Sequence, residues 1–286
     1  MREQCEFRVD AEFADLLFRP DEGEIIGAGL VKKVSLETGD PRFEEVGRLQ
    51  RAIRAQDCGR ALFFGWSYYR QYSREEIEAA EVFNLVISAR FEPPGEACGT
   101  IYDDSTACPT CGGGGKQCSD LTLNVRAIPK TRDLASTIAN EWIVSERLAS
   151  LFQRERITGV ELRPVRHYLG DETGLRKWYQ IVIVSPPVAL SPRTRLGLDP
   201  FDEDIDGAYR CPIAGAGHVA GLAILSEVHV NRSTWIAHDV VATQELVGTR
   251  RGLLRPYPTL LISRRLRKLL LTERVKKFDL EIAHFA

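Results

Sequence analysis

The chain has 286 residues, 44% of them hydrophobic, 27% charged and 8% aromatic, a composition that supports a buried core and excludes an intrinsically disordered or fibrous protein. Lysine and arginine (38) nearly balance aspartate and glutamate (40), for a formal net charge of -2, so bulk charge gives no support to nucleic-acid or membrane-surface binding. No apolar run approaches the roughly 18 residues of a membrane span, and the opening MREQCEFRVDAEF lacks the apolar stretch of a signal peptide. The expectation is a cytoplasmic protein with no membrane partner, and at roughly 150 residues per domain the length fits one large domain or two modest ones.

From Pro41 to Gln56, Phe43, Val46, Leu49 and Ile53 recur near helical spacing between charged residues, which predicts a helix with Gly47 as its weak point. The aromatic run ALFFGWSYYRQYS predicts a strand with Gly65 as a bulge, and Ser73 with Glu76 forms a capping box that opens a helix over REEIEAAEVF. FNLVISARF predicts another strand; Pro93, Pro94 and Gly95 then break the pattern and set a lobe boundary near residue 92. After the cysteine-rich stretch 95–118 come alternating LTLNVRAI, then DLASTIANEW. A helix follows over VSERLASLFQRERI, with Ser145 as N-cap and Val144, Leu148, Leu151 and Phe152 on one face. Thr158-Gly159 ends that helix, VELRPVRHYL and KWYQIVIVS predict strands, and SPPVALSPRTRLGLDPFDEDIDG reads as a long loop. In the last third GLAILSEVHV is strand-like and TWIAHDVV is a short apolar piece. LISRRLRKLLLTERV predicts a helix with Ile262, Leu266, Leu269 and Leu270 on one face, and KFDLEIAHF a closing strand. These elements add up to an α+β fold with mixed and antiparallel sheets and a few helices.

Residues 144–162 and 262–280 match at an offset of 118: Ser145/Ser263, Arg147/Arg265, Leu148/Leu266, Leu151/Leu269, Glu155/Glu273, Arg156/Arg274 and Leu162/Leu280 coincide. Chance gives about one such identity. Asp133–Thr137 faintly matches Asp239–Thr243, and Cys111 to Cys118 has the spacing of Cys211 to His218. A capped amphipathic helix followed by a strand accounts for part of this match by itself; the rest predicts an internal duplication. The expected organisation is an N-terminal lobe over 1–92, a zinc-knuckle segment with the first repeat over 93–166, and a second repeat over 167–286.

Four of the seven cysteines crowd into residues 98–118. Cys108-Pro-Thr-Cys111-Gly112 is a knuckle: two thiolates two residues apart can chelate one tetrahedral ion, and the glycine permits the turn that aims amide N–H groups at sulfur. Cys98 and Cys118 can close a four-cysteine site locally, which predicts a structural Zn2+ held by Cys98, Cys108, Cys111 and Cys118. Completion by Cys211 or His218 is the open alternative. A redox-active C-x-x-C pair needs a following helix, which Gly112–Gly115 oppose. Cys5 and Cys58 are isolated and expected to be plain core or surface thiols.

The stretch CPTCG, with the passage through IANEWIVSERLASLFQRERITGVELRPV, resembles the double-CXXCG motif proteins of myxobacteria, some of which are described as immunity proteins paired with contact-delivered toxins. The resemblance covers about residues 95–165, with an echo at 256–285. Only Cys108/Cys111/Gly112 is a full motif; Cys98-Gly99 keeps its second half. The resemblance implies a cytoplasmic binding protein without an active site, whose partner is a toxin.

Two other readings compete. Arg250, Arg251, Arg255, Arg264, Arg265, Arg267, Lys268, Arg274, Lys276 and Lys277 make the C-terminal region basic, and a zinc ribbon beside such a run could bind nucleic acid through phosphate neutralisation. Cys211, His218, Glu227, His229, His238 and Asp239 form the densest polar constellation and offer an enzyme centred on Cys211, His218, His238 and Asp239. Its spacing matches no catalytic motif. Protein binding through a zinc-stapled module is the leading expectation, with no catalytic residue assigned.

Overall fold

In residues 4–9 Cys5, Phe7 and Val9 alternate with Gln4, Glu6 and Arg8, so an extended chain gathers three apolar side chains on one face. Strand Arg2–Asp10 does this, with all three fully buried. It pairs antiparallel with Val31–Glu37 on one side and Phe63–Gln71 on the other, and Glu24–Ile26 extends the sheet beyond Val31–Glu37. The register shifts where Arg8 and Val9 face Gly65 and Phe63, which is the bulge expected at Gly65. Helix Pro41–Gln56 buries Phe43, Val46, Gly47 and Gln50. The segment Gly197–Glu203 belongs to this unit and lays Phe201 against Phe7 and Phe43, at ring-centroid distances of 6.0 and 4.9 Å. A Cβ at Gly47 would lie 2.5 Å from Phe201 Cδ1. The glycine that weakens the helix by propensity is therefore the residue that admits the ring. The capping box forms as expected: the Glu76 N–H donates to Ser73 Oγ at 3.2 Å and the Ser73 N–H donates to Glu76 Oε2 at 2.7 Å.

The structure is a computed structural model that describes residues 1–56, 59–213, 218–219 and 221–286; Cys58 lies outside the described residues. The chain divides into two units, Met1–Ala79 with Gly197–Glu203, and Ala80–Leu196 with Asp204–Ala286. Five α-helices stand among the described residues beside antiparallel and mixed sheets, an α+β fold.

The second unit holds two five-stranded sheets. One runs Val160–Pro164, Trp178–Ile183, Trp142–Ser145, Leu134–Thr137, Arg90–Phe91; the other Val228–Val230, Phe278–Phe285, Val82–Ile87, Tyr257–Ser263, Val240–Val247. Val82–Ile87 is thus the middle strand of the second sheet, and the Pro93–Gly95 break falls inside this unit. Leu121, Leu123, Ile143 and Trp178 anchor one core cluster; Val82, Val228, Val241 and Leu261 anchor another. Several expected elements change extent: the helix over REEIEAAEVF stops at Ala79 and Val82 already lies in a strand, FNLVISARF splits into Val82–Ile87 and Arg90–Phe91, and the expected long loop carries the strands Leu196–Asp199 and Asp202–Glu203. LTLNVRAI forms only the short strand Thr122–Leu123 before a 3-10 turn at Val125–Ala127, and the last helix begins at Arg264 because Ser263 ends a strand and caps it.

Helices Glu146–Arg154 and Arg264–Thr272 share their end chemistry. Ser145 Oγ accepts from the Leu148 N–H and Ser263 Oγ from the Leu266 N–H. Each cap hydroxyl donates to an upstream aspartate, Ser145 to Asp133 at 2.6 Å and Ser263 to Asp239 at 2.8 Å. Arg147 binds Asp133 and crosses to Glu273 at 3.0 Å; Arg265 binds Asp239 at 2.7 Å and crosses to the Glu155 carbonyl. Both helices exit through a left-handed arginine, Arg156 at φ 52 and Arg274 at φ 53.

Candidate metal centre

The knuckle occupies the loop of a short hairpin whose stems pair Tyr102 with Gln117 and Asp103 with Lys116. The Gly112 N–H donates to the Cys108 carbonyl at 2.8 Å and the Cys108 N–H to the Gly113 carbonyl at 2.7 Å, which winds CPTCG into a tight turn. Gly112, at φ +75, supplies the left-handed step, and a Cβ there would lie 2.5 Å from Arg250 Cβ. N–H groups of Cys111 and Thr110 point at the Cys108 sulfur, and with further help from His218 and Cys211 they pull its pKa down to about 6. Burial pushes Cys111 up to about 11 against the N–H of Gly113. The knuckle is thus arranged around one sulfur that is ready to be a thiolate.

The remaining ligands arrive from a distant segment. Cys211 Sγ lies 3.4 Å from Cys108 Sγ, and His218 Nδ1 lies 3.2 Å from Cys111 Sγ. The four ligand atoms all fall within 4.8 Å of one another. A zinc–sulfur bond of 2.3 Å implies tetrahedral edges of about 3.8 Å, a value that these separations bracket. His218 is bridged to Leu246, and the Val219 N–H donates to the Leu246 carbonyl at 3.1 Å, which ties this arm to strand Val240–Val247. The imidazole packs over Gly113, where a Cβ would come within 2.8 Å of His218 Nε2. The glycine run after the knuckle therefore has two identifiable uses: a left-handed turn and room for a ligand ring. A Cys3His donor set of this kind, soft thiolates with one imidazole, could hold a metal ion.

Of the four cysteines expected to close the site, Cys108 and Cys111 are in it and Cys98 and Cys118 are not among the clustered ligands. Both sit at the base of the hairpin, and its stems carry the knuckle away from them. Cys98 is buried in the 3-10 turn Gly95–Cys98, where burial raises its thiol pKa against the Asn124 N–H. Cys118 is exposed, its sulfur 3.5 Å from the Lys116 carbonyl. Cys211 and His218, the open alternative in the sequence, take the two places. Cys5 is a core thiol whose pKa burial drives upward.

Around the knuckle, charge is satisfied by long-range pairing. Arg250 donates to Asp104 at 2.8 Å and to Glu96 at 2.9 Å, and Arg255 donates to the same carboxylates at 2.6 and 2.8 Å. Arg255 also lies over the Tyr102 ring at 3.9 Å, and the Tyr102 hydroxyl donates to buried Glu141 at 2.7 Å. The Arg250 N–H donates to the Cys111 carbonyl at 2.8 Å. The remaining candidates for catalysis fall into two groups, neither of which is among the clustered ligands. Asp239 accepts from Thr158, Ser263 and Arg265, while His229 stacks on His284 at 4.8 Å and His284 pairs with Glu227 at 2.9 Å.

No helix among the described residues is long and apolar enough to cross a membrane. No family model matches the chain, and none of the curated proteins matches it.

Proposed function

We propose that Cys108, Cys111, Cys211 and His218 hold one structural Zn2+, and that the metal staples a protein-binding module. The observation that carries this is the convergence of four ligand atoms within 4.8 Å from two segments about a hundred residues apart. Three thiolates and one imidazole fill every position of a tetrahedral ion, so no coordination site is left for water or substrate, which favours a structural role over catalysis. Zinc suits this donor set better than magnesium or calcium, which prefer oxygen.

The matched helix ends support an internal duplication in which each copy supplies half of the site: the knuckle from one, Cys211 and His218 from the other. On this reading Cys211 and His218 stand where a second CXXCG motif would be, which agrees with the resemblance to double-CXXCG proteins and makes neutralisation of a cognate bacterial toxin the favoured role. Nucleic-acid binding loses support because Arg250, Arg255 and Arg265, part of the basic run, are engaged in ion pairs within the fold.

Elemental analysis of the purified chain tests the metal and growth rescue tests the role. One zinc per chain is expected, together with protection of cells expressing a cognate toxin, found by screening bacterial toxin genes, by the wild type but not by a Cys108→Ser variant. Zinc without protection would retain the staple and remove the immunity role.

A further inference from the structure

In the second unit a cavity of about 340 Å3 opens where the ends of the two five-stranded sheets approach each other. Arg90 and Trp142 reach it from one sheet and Tyr257 from the other, while Asn140 reaches it from the turn joining Leu134–Thr137 to Trp142–Ser145. That turn holds Asn140 in the left-handed region at φ 61, a conformation asparagine tolerates and most residues do not. Arg90 is the one charged residue among the described residues that line the cavity. Its neighbours there are neutral, and among the described residues no side chain forms an ion pair or hydrogen bond with the Arg90 guanidinium, the Asn140 amide, Trp142 Nε1 or the Tyr257 hydroxyl. Arg250, Arg255, Arg147 and Arg265 of this unit each have a carboxylate, whereas Arg90, an exposed residue, has none among the described residues. A single unneutralised guanidinium at a concave site with two aromatic walls and uncommitted donors has the makings of an anion-binding pocket of ordinary ligand size.

We infer that this cavity binds a small organic anion, with its carboxylate or phosphate on the Arg90 guanidinium and a planar ring against Trp142 and Tyr257. Asn140 and Trp142 Nε1 supply the remaining donors to the anion. None of the four residues of the Cys3His cluster lines the cavity.

The test uses the full chain with three probes, benzoate, phenyl phosphate and neutral benzamide, followed by saturation-transfer NMR and calorimetry. One or both anions are expected to bind saturably at one per chain, and whichever binds tighter identifies the acid group. Benzamide is expected not to bind. Arg90→Ala should weaken the anion by about 10-fold to 100-fold, Arg90→Lys by less, and Arg154→Ala, a surface control paired with Glu155, not at all. Saturable binding by neither anion, equal binding of benzamide, or unchanged affinity in a folded Arg90→Ala protein would overturn the assignment. Should Arg90→Ala fail to fold, the benzoate and benzamide comparison on the wild type still decides.

Discussion

The two halves of the candidate metal centre are built in opposite ways. Cys108 and Cys111 are positioned by their own turn, through hydrogen bonds that span at most five residues, and N–H groups of that same turn already favour the thiolate at Cys108. Among the described residues Cys211 and His218 show no such local frame. His218 is held by its bridge to Leu246 and by the space over Gly113, both contributed by remote parts of the chain. A chelating turn can therefore preexist while its partner arm is a product of tertiary structure, and metal binding in such a centre reports on the whole unit.

Removing a ligand from either half should be the largest perturbation. Cys108→Ser and His218→Ala are each expected to abolish tight zinc binding and lower the melting temperature by about 10 °C, since metal binding to such a site contributes several kcal/mol to folding. A calorimetric scan with and without chelator would show the wild type falling to the variants' level. Gly113→Ala separates the halves more finely, because it leaves all four ligands in place and pushes only on His218. Zinc affinity should drop about 10-fold to 100-fold, as for other changes that misorient a ligand, measured by competition with a chromophoric chelator. Affinity equal to wild type would mean that the arm is not seated on the knuckle glycine. Arg250→Ala removes one of the two arginines that clamp Asp104 and Glu96 and leaves Arg255, and a cost of about 1 kcal/mol is expected in urea unfolding, with zinc stoichiometry unchanged.

The smallest effect concerns the second five-stranded sheet. His229, in the strand Val228–Val230, is pushed below its ordinary pKa by burial and by His284 and Arg193, against the opposing pull of Glu227. Its neutral form is thus favoured in the folded state. The associated stability is fully present above about pH 6.5 and is lost as pH falls through the lower folded value. His229→Phe keeps a ring against His284 and should flatten the unfolding free energy between pH 7 and 5; an unchanged slope would assign it to other groups.

What was legible in the sequence was local. The Ser73–Glu76 box, the Ser145 cap, the Gly65 bulge and the C-x-x-C-G turn are each specified within a few residues and form as expected. The first strand was legible too, in the alternation of Cys5, Phe7 and Val9, but short mixed-charge strands are easily passed over beside stronger patterns. The last two ligands were harder. Proximity in sequence favours Cys98 and Cys118, whereas a hairpin carries its base and its tip apart; residue 211 comes to residue 108 only in the tertiary structure. The spacing shared by Cys111–Cys118 and Cys211–His218 marked the second segment without showing which pair would be used. Gly47 and Gly113 illustrate a further limit, since a glycine that accommodates a remote ring looks the same in sequence as one that merely weakens a helix or loosens a loop.

Metal stoichiometry in Cys118→Ser beside Cys211→Ser tests the assembled centre most directly. One zinc per chain in the wild type, retained in Cys118→Ser and lost in Cys211→Ser, is the predicted result. Zinc that survives Cys211→Ser and disappears with Cys118→Ser would contradict the account and return the site to a hairpin closed on itself.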